Sequence, residues 1–276
     1  MSRITCVQTK VACIQMASGP NVQGNLNEAE RLIQRAVDAG AELVVLPENF
    51  AQMGSDADKL KTAEVEGSGP IQEFLSETAA HLNIWLAGGS VPLRGSSADH
   101  VRSSFLFFDN TGKQVARYDK IHLYDVDLTQ SNEHYHESSV FEPGDQVVVA
   151  DTPFGKVGLS ICYDIRFPEL YRRQLDMGAE ILLVPSAFTA VTGKAHWQVL
   201  LQARAIENQC YVVASDQGGY HVNGRETYGH SMIIDPWGVV LDSLPSGAGF
   251  VIAEIDRIKL ESTRTNFPAI EHRRLF

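Results

Sequence analysis

Short apolar runs alternate with amphipathic stretches along the first 120 residues. Gly, Pro or Asn bounds the runs, which indicates buried strands, and the amphipathic stretches have the residue spacing of helices. For the first helix we expect Asn25 to be the N-cap, with Glu28 three residues later as in a capping box, and Gly40 to end it. The pattern also predicts strands at 11–17, 42–46 and 84–91, a helix at 70–82, and a hairpin at 103–119 around Asn110-Thr111-Gly112.

The alternation starts again after residues 121–146, which are polar and irregular. We predict that this stretch is an active-site loop. Beyond it, the turn Pro153-Phe154-Gly155 joins two strands, and a short helix follows Asp256. The remaining pattern predicts helices at about 167–177 and 194–208, and strands at 180–187, 211–215, 230–235, 239–244 and 249–255.

One sequence segment occurs twice, half a chain apart. Residues 39–50 read AGAELVVLPENF, and residues 177–188 read MGAEILLVPSAF. Chance similarity of two buried strands is one explanation, and duplication of a strand–helix–strand unit is the one we favour. Duplication predicts two similar halves in one domain, with the strand ends near 48 and 186 facing a shared cleft.

Composition narrows the function classes. The 276 residues are 44% apolar, which is enough for a sizeable core, and their formal net charge is −11. That charge argues against nucleic-acid binding and against a basic membrane-surface helix. Residues 1–10 lack the apolar run of a secretory signal, and no apolar stretch approaches the length of a membrane span. Cys6, Cys13, Cys162 and Cys210 form no Cys-x-x-Cys pair, so we expect a reduced, cytoplasmic protein.

Three residues are candidates for chemistry. Cys162 ends a strand just before the predicted helix, where backbone N–H groups and a nearby base would activate a thiol. Glu48 follows a buried strand and Pro47, so it could be a desolvated base with a raised pKa. Lys120, at the end of the predicted hairpin, is the third candidate. Each residue also has a purely structural alternative: Cys162 as a buried apolar side chain, Glu48 as a surface cap and Lys120 as an ordinary exposed lysine.

Together these residues resemble a known pattern. The segments LPENF at 46–50, YDKIHL at 118–123 and ICYDIRFPEL at 161–170 are similar to the glutamate, lysine and cysteine motifs of the nitrilase superfamily of carbon–nitrogen hydrolases. The resemblance covers residues 11–256 and implies a four-layer α-β-β-α sandwich. It places a single hydrolase domain at 1–256 and a C-terminal tail at 257–276.

The resemblance also implies the site roles. Glu48 is the base, Cys162 the nucleophile that forms a thioester, and Lys120 the cation for the oxyanion, together with the backbone N–H of Tyr163. The family has a second glutamate in the loop after the lysine, and Glu137 fits that position better than Glu133. No metal or organic cofactor is implied.

Further segments resemble the Nit branch of the superfamily. They are PSAFT at 185–189, TGKAHW at 192–197, RAIENQC at 204–210 and YGHS at 228–231. This resemblance implies a small amide substrate that bears a 2-oxo acid. Arg166 would bind its carboxylate, unless the guanidinium only ties the elbow to an acidic residue, and Tyr163, Phe188 and Thr189 would line the pocket. The loops at 125–140 and 217–228 would select the leaving group.

Other classes remain as alternatives. His134-x-His136 could hold a metal, although no third ligand motif is evident. Gly67-Ser68-Gly69 is followed by Pro70 and does not match a nucleotide-binding loop. A carbamoylase or aliphatic amidase would share the three motifs, and a metabolite-binding protein could retain them without catalysis.

We predict at least a homodimer, because family members associate through the helices that correspond to 167–177 and 194–208. Light scattering at micromolar concentration should give no less than twice the 30.4 kDa chain mass. A clean monomer would contradict the prediction.

Overall fold

The computed structural model describes residues 8–128 and 133–275, so Cys6 and Phe276 lie outside the described residues. Its first half is a set of strands with three helices between them. In chain order these are β1 (Gln8–Gln15), α1 (Val22–Asp38), β2 (Leu43–Val45), α2 (Asp56–Thr62), α3 (Pro70–Leu82), β3 (Trp85–Ala87), β4 (Val91–Arg94), β5 (Val101–Phe108), β6 (Gln114–Asp119), β7 (Asp125–Leu128) and β8 (Glu133–His136).

The second half repeats this alternation and ends in a helix. Its elements are β9 (Val149–Thr152), β10 (Gly155–Leu159), α4 (Pro168–Asp176), β11 (Ile181–Ser186), α5 (Ala190–Asn208), β12 (Tyr211–Asp216), β13 (Gly218–Tyr220), β14 (Glu226–Tyr228), β15 (Ser231–Ile234), β16 (Val240–Leu244), β17 (Gly249–Asp256) and α6 (Arg257–Asn266). Short 3-10 helices cover Glu137–Ser139, Cys162–Arg166 and Ala269–His272.

Two large sheets form the centre of the fold. The first has the order β17-β1-β2-β3-β5-β4, with β6 paired to β5, and the second has the order β16-β15-β12-β11-β10-β9. Strands β1, β2 and β3 are parallel, as are β10, β11 and β12. Antiparallel β17 and β9 cover the outer edges of β1 and β10.

Residue alternation along β1 shows how the layers are made. Val11 and Cys13 pack into the core shared with the second sheet, whereas Ala12 and Ile14 pack into a separate core with α1 and α3. Helices α4 and α5 cover the other sheet with apolar side chains that include Trp197. The layers are therefore helix, sheet, sheet and helix, and the predicted α-β-β-α sandwich is confirmed.

The two halves share backbone details as well as strand order. Each contains a β-α-β-α-β unit with its repeated segment on the central strand, β2 or β11. Gly40 and Gly178 both have left-handed φ angles, of 96° and 92°, at corresponding turns. The next glutamates, Glu42 and Glu180, donate their N–H groups to a lysine carbonyl on the preceding strand at 2.9 and 2.8 Å. These matches support duplication.

Several predicted boundaries were wrong. The N-cap of α1 is Asn21, which accepts from Gly24 N, and Asn25 lies buried one turn inside the helix. Helix α5 begins one turn earlier than predicted because Thr189 caps it. The run at 84–91 divides between β3 and β4, on either side of Gly88 and Gly89.

Polar segments hid further elements. The stretch at 121–146 is not irregular throughout, since β7 pairs with β8 in a small antiparallel hairpin. Helix α2 and the pair β13–β14 were also not predicted. In the part of the chain that the structure describes, no helix is both long and apolar enough to cross a bilayer.

Asn25 gives a direct test of packing at the start of α1. Its side chain bonds Gly19 N, Gly19 O and Ala51 O at 2.8–3.0 Å, so Asn25→Ala leaves buried backbone groups without partners. We expect a loss of about 1–3 kcal/mol in the free energy of unfolding, measured by urea titration at fixed protein concentration. Asn27→Ala, on the exposed face of the same helix, is the matched control, and an equal loss there would contradict the role of Asn25.

Candidate active site

A buried lysine holds together one buried carboxylate, of Glu48, and one partly exposed carboxylate, of Glu137. Lys120 follows β6, and its Nζ lies 2.9 Å from Oε1 of Glu48 and 2.9 Å from both carboxylate oxygens of Glu137. The Lys120 side chain is 2% exposed. Glu133, the competing residue, instead accepts a hydrogen bond from the Tyr135 hydroxyl at 2.8 Å. The structure therefore places Glu137 beside Lys120.

The charges in this cluster set one another's protonation. Burial alone would lower the pKa of Lys120, but Glu137 and Glu48 outweigh it and hold that pKa well above its usual value. Burial also raises the pKa of Glu137, and the neighbouring Glu48 charge adds to the rise. For Glu48 the Lys120 charge overcomes burial, so its pKa is lowered. The prediction of a raised pKa for Glu48 was therefore wrong.

Cys162 lies on a strained elbow between β10 and α4. Its φ is 48°, in the left-handed region, and the 3-10 helix Cys162–Arg166 starts there. Burial raises the pKa of the Cys162 thiol well above its usual value, and the Glu48 charge acts in the same direction while Lys120 opposes it. The thiol is therefore a protonated group next to a carboxylate that can take its proton.

Asp164 ties the lysine segment to this elbow. Its carboxylate accepts from the Tyr118 hydroxyl at 2.7 Å and from Ile161 N at 2.8 Å. It also accepts from His122 N at 3.1 Å, and His122 Nδ1 lies 2.7 Å from the same oxygen. Residues on both sides of Lys120 are thereby fixed to the turn that carries Cys162.

The carboxyl ends of the two repeated strands meet at Glu48. Its Oε2 accepts the N–H of Ala187, which follows β11, at 2.9 Å. The next N–H, of Phe188, bonds Asp216 Oδ1 at 2.8 Å and fixes this turn. The predicted shared cleft at the strand ends is therefore present.

A cavity of about 210 Å³ opens above these groups. All the predicted site residues contribute to its wall, which comprises Glu48, Lys120, Glu137, Cys162, Tyr163, Arg166, Phe188 and Thr189. Arg166 stacks over the rings of Tyr163 and Phe188, at 5.7 and 5.0 Å from their centroids, and bonds His196 at 3.1 Å.

Arg166 does not tie the Cys162 elbow to an acidic residue, which was the alternative to a role in substrate binding. Within residues 8–128 and 133–275, no carboxylate forms an ion pair with Arg166. Arg204 on α5 holds the elbow instead, with Nε and Nη2 donating to Ile165 O at 3.0 and 2.7 Å. Arg166 therefore keeps its guanidinium available to the cavity.

Two further cations on the cavity wall were missed from the sequence. Lys59, on the unpredicted helix α2, is 6% exposed and donates to Asn49 Oδ1 and to Gln52 O. Arg225, just before β14, donates to Ala187 O. Neither residue belongs to a segment used in the resemblance, and Arg225 lies only three residues before the YGHS motif.

The histidine pair on β8 has a local acidic partner. His134 Nδ1 lies 2.7 Å from Asp127 Oδ1, and His136 Nε2 lies 3.9 Å from it. Among the residues that the structure describes, no three His, Cys, Asp or Glu side chains are grouped to hold a metal ion.

The four layers, with a cysteine, a lysine and two glutamates at the strand ends, define a carbon–nitrogen hydrolase of the nitrilase type. The chain belongs to this family, since the carbon–nitrogen hydrolase family pattern matches residues 10–265. It is a hydrolase that acts on carbon–nitrogen bonds.

Its relatives place it in the Nit branch. It is 48% identical to a deaminated glutathione amidase of Synechocystis over 95% of this chain and 97% of the relative. The Nit3 structure of Saccharomyces cerevisiae, titled a member of branch 10 of the nitrilase superfamily, has a TM-score of 0.87 at 34% identity and 97% coverage of both chains. The C. elegans NitFhit structure has a TM-score of 0.91 at 38% identity, over 98% of this chain and 66% of the other.

Lys59 gives a pH-dependent test of this cavity wall. Burial lowers the pKa of Lys59 from 10.5 to about 8, so between these values the unfolded chain binds more protons than the folded one. The Lys59 contribution to stability therefore rises with pH. Between pH 7 and 9.5 the intact chain should gain about 2 kcal/mol relative to Lys59→Met.

The free energy of unfolding of the intact chain and of Lys59→Met is measured by urea titration at both pH values. Subtracting one protein from the other at each pH removes the contribution of all other titrating groups. Lys61→Met, on the exposed side of α2, is the control and should track the intact chain. A constant difference between the intact chain and Lys59→Met would contradict the lowered pKa.

Proposed function

We propose that this chain is an amidase that works through a thioester on Cys162 and prefers deaminated glutathione. The observation that carries the proposal is the Lys120 ammonium, buried between Glu48 and Glu137 beside the Cys162 thiol. One cation between two carboxylates leaves one of them free to accept a proton while the lysine stays charged.

Acylation begins when Glu48 takes the thiol proton. The sulfur then attacks the amide carbonyl, and the carbonyl electron pair moves onto oxygen. Lys120 and the backbone N–H of Tyr163 stabilise that oxyanion, a type of contact whose loss costs about 10²–10³ in rate. When the oxyanion collapses, the carbon–nitrogen bond breaks, and Glu48 returns the proton to the leaving amine.

Deacylation uses the same groups with water as the nucleophile. Glu48 deprotonates the water, which attacks the thioester, and the carbon–sulfur bond breaks to release the acid and the thiol. Glu137 keeps Lys120 charged through both steps and orients the substrate or the water. Since the lowered pKa keeps Glu48 ionised at neutral pH, the base is ready before substrate binds.

The acyl group is assigned from charge and from a relative. Deaminated glutathione is the amide of 2-oxoglutarate with cysteinylglycine, and the Synechocystis relative is named for cleaving it. A chain of net charge −11 needs a local cation for such an anion, and Arg166 is positioned by Tyr163 and Phe188 to bind the 2-oxo acid carboxylate. Thr189 supplies a hydroxyl to the same wall.

An omega-amidase acting on 2-oxoglutaramate or 2-oxosuccinamate is the second candidate. The same Arg166 supports it, because these substrates carry the same acyl carboxylate and differ in releasing ammonia. A carbamoylase, an aliphatic amidase, and a binding protein without catalysis are further outcomes that the assay below separates.

We also propose a cytoplasmic homo-oligomer with one domain at 1–256 and an interface that includes the tail at 257–276. The thiols of Cys13, Cys162 and Cys210 are free, which suits a reducing compartment. Helix α5 leaves Val199 and Ile206 exposed by 66% and 52%, which suits burial against a second copy.

A paired hydrolysis assay tests the function. Purified protein receives deaminated glutathione or 2-oxoglutaramate, and 2-oxoglutarate release is followed. We expect kcat/KM at least about tenfold higher on deaminated glutathione, equivalent to 1.4 kcal/mol in transition-state binding. Cys162→Ala should abolish 2-oxoglutarate release from both substrates. If the protein only bound its ligand, the same variant would bind that ligand as well as the intact protein does.

The reverse preference would make the protein an omega-amidase. Activity on neither substrate would discard the carboxylate-binding role of Arg166, and neutral amides and carbamoyl compounds would then be tested. Release that survives Cys162→Ala would contradict the thioester.

A further inference from the structure

Three tyrosines form a continuous aromatic wall with an arginine at each end. The ring centroids of Tyr163 and Tyr124 are 4.9 Å apart, and those of Tyr124 and Tyr135 are 5.0 Å apart. Arg166 lies over the Tyr163 ring, at 5.7 Å, and Arg225 lies over the Tyr135 ring, at 5.1 Å. All five residues line the cavity that contains the nucleophile. The cavity therefore offers a cation on each side.

Arg225 is held in place, and its charge acts on Glu48 and Asp216 from a distance, without a direct ion pair. Its Nη2 donates to Ala187 O, while its Nε is buried with no hydrogen-bond partner. No carboxylate of residues 8–128 or 133–275 forms an ion pair with it. The turn that carries it is anchored by buried His221, which contacts Ser18 O at 2.8 Å and Thr227 Oγ1 at 2.7 Å.

Lys59 adds a second positive charge at this end of the cavity. It lines the same wall, and besides burial the Arg225 charge works to lower its pKa, against the pull of Glu48 and Glu137. Two like charges that repel each other at a cavity wall are stabilised when an anion binds near them. Arg225, which lines the cavity with a planar guanidinium, has the donor arrangement that suits a carboxylate.

We propose that Arg225 binds the carboxylate of the leaving group, so that the site selects amides with an anionic group on each side of the scissile bond. This inference rests on the proposed function, in which Arg166 binds the acyl carboxylate. Ammonia, the leaving group of 2-oxoglutaramate, gives Arg225 nothing to bind. Arg225 is thus the residue that separates the two candidate activities.

The dimensions of the wall fit such a substrate. In deaminated glutathione the acyl carboxylate is four bonds from the scissile carbonyl and the terminal carboxylate six bonds beyond it, which is about 12 Å from one carboxylate to the other when extended. The wall runs from Tyr163 to Tyr135 in two ring-to-ring steps of 4.9 and 5.0 Å, and an arginine lies over the ring at each end, so its length is of the same order. A dipeptide leaving group can therefore lie along the tyrosines with its carboxylate at Arg225.

A purely structural role for Arg225 makes a different prediction. Arg225 bonds the carbonyl of Ala187, and the N–H of Ala187 donates to Glu48. If that support were its whole role, replacing it would disturb Glu48 and lower kcat for every substrate alike. Arg225→Gln removes the charge, and comparing substrates with and without the leaving-group carboxylate then separates the two roles.

The experiment compares deaminated glutathione, the same compound with its terminal carboxylate converted to a carboxamide, and 2-oxoglutaramate. We expect the intact protein to prefer the acid over the carboxamide by at least about tenfold in kcat/KM, as for a charge-assisted hydrogen bond. Arg225→Gln should reduce this ratio to about threefold or less, mainly through KM for the acid, and Arg225→Lys should restore part of it. Arg31→Gln, on the exposed face of α1, is the control and should keep the ratio.

Each other result overturns the inference in a recognisable way. An intact protein that cleaves the acid and the carboxamide equally well keeps the proposed function and removes the role of Arg225. An equal loss on all substrates in Arg225→Gln leaves it a structural residue. Loss of discrimination in Arg166→Gln but not in Arg225→Gln reverses the two ends of the substrate. No hydrolysis of any of the three refutes the proposed function and this inference with it.

Discussion

The ammonium of Lys120, buried between the carboxylates of Glu48 and Glu137, is the interaction on which the site depends. A buried ammonium is very costly alone, and this one is tolerable because both carboxylates lie 2.9 Å from it. Burial, with the Glu48 charge acting in the same direction, raises the pKa of the nearby Cys162 thiol well above its usual value and keeps it protonated.

The doubled architecture explains how such a cluster is assembled. Glu48 comes from the end of β2, the N–H that it accepts comes from the residue after β11, and these are the central strands of the two halves. Asp164 fastens the Lys120 segment to the cysteine elbow, so groups far apart in sequence become parts of one rigid wall. Packing of one sheet on the other sets their distances.

Much of this could be predicted from the sequence, because buried strands and the three motifs are local patterns. The shared cleft followed from the repeated segment, whereas the α-β-β-α layers and most of the site residues followed from the family resemblance that the motifs carry. Lys59 and Arg225 did not, since they lie on short elements in polar segments where no periodicity distinguishes a cavity wall from a surface. The lowered pKa of Glu48 was missed because burial is visible in a sequence, whereas a 2.9 Å distance to Lys120 is not. Asn25 was mistaken for a cap because its three tertiary hydrogen bonds reach residues that sequence spacing does not connect to it.

The pairing of β17 with β1 has a consequence for how the chain is made. Gln8 lies opposite Asp256 and Gln15 lies opposite Gly249, so the first sheet lacks an edge strand until nearly the whole chain has left the ribosome. During synthesis β1 exposes a row of unpaired N–H and C=O groups next to an apolar run. The nascent N-terminal half therefore stays incomplete, and prone to pair with other chains, until a strand some 240 residues later has been synthesised.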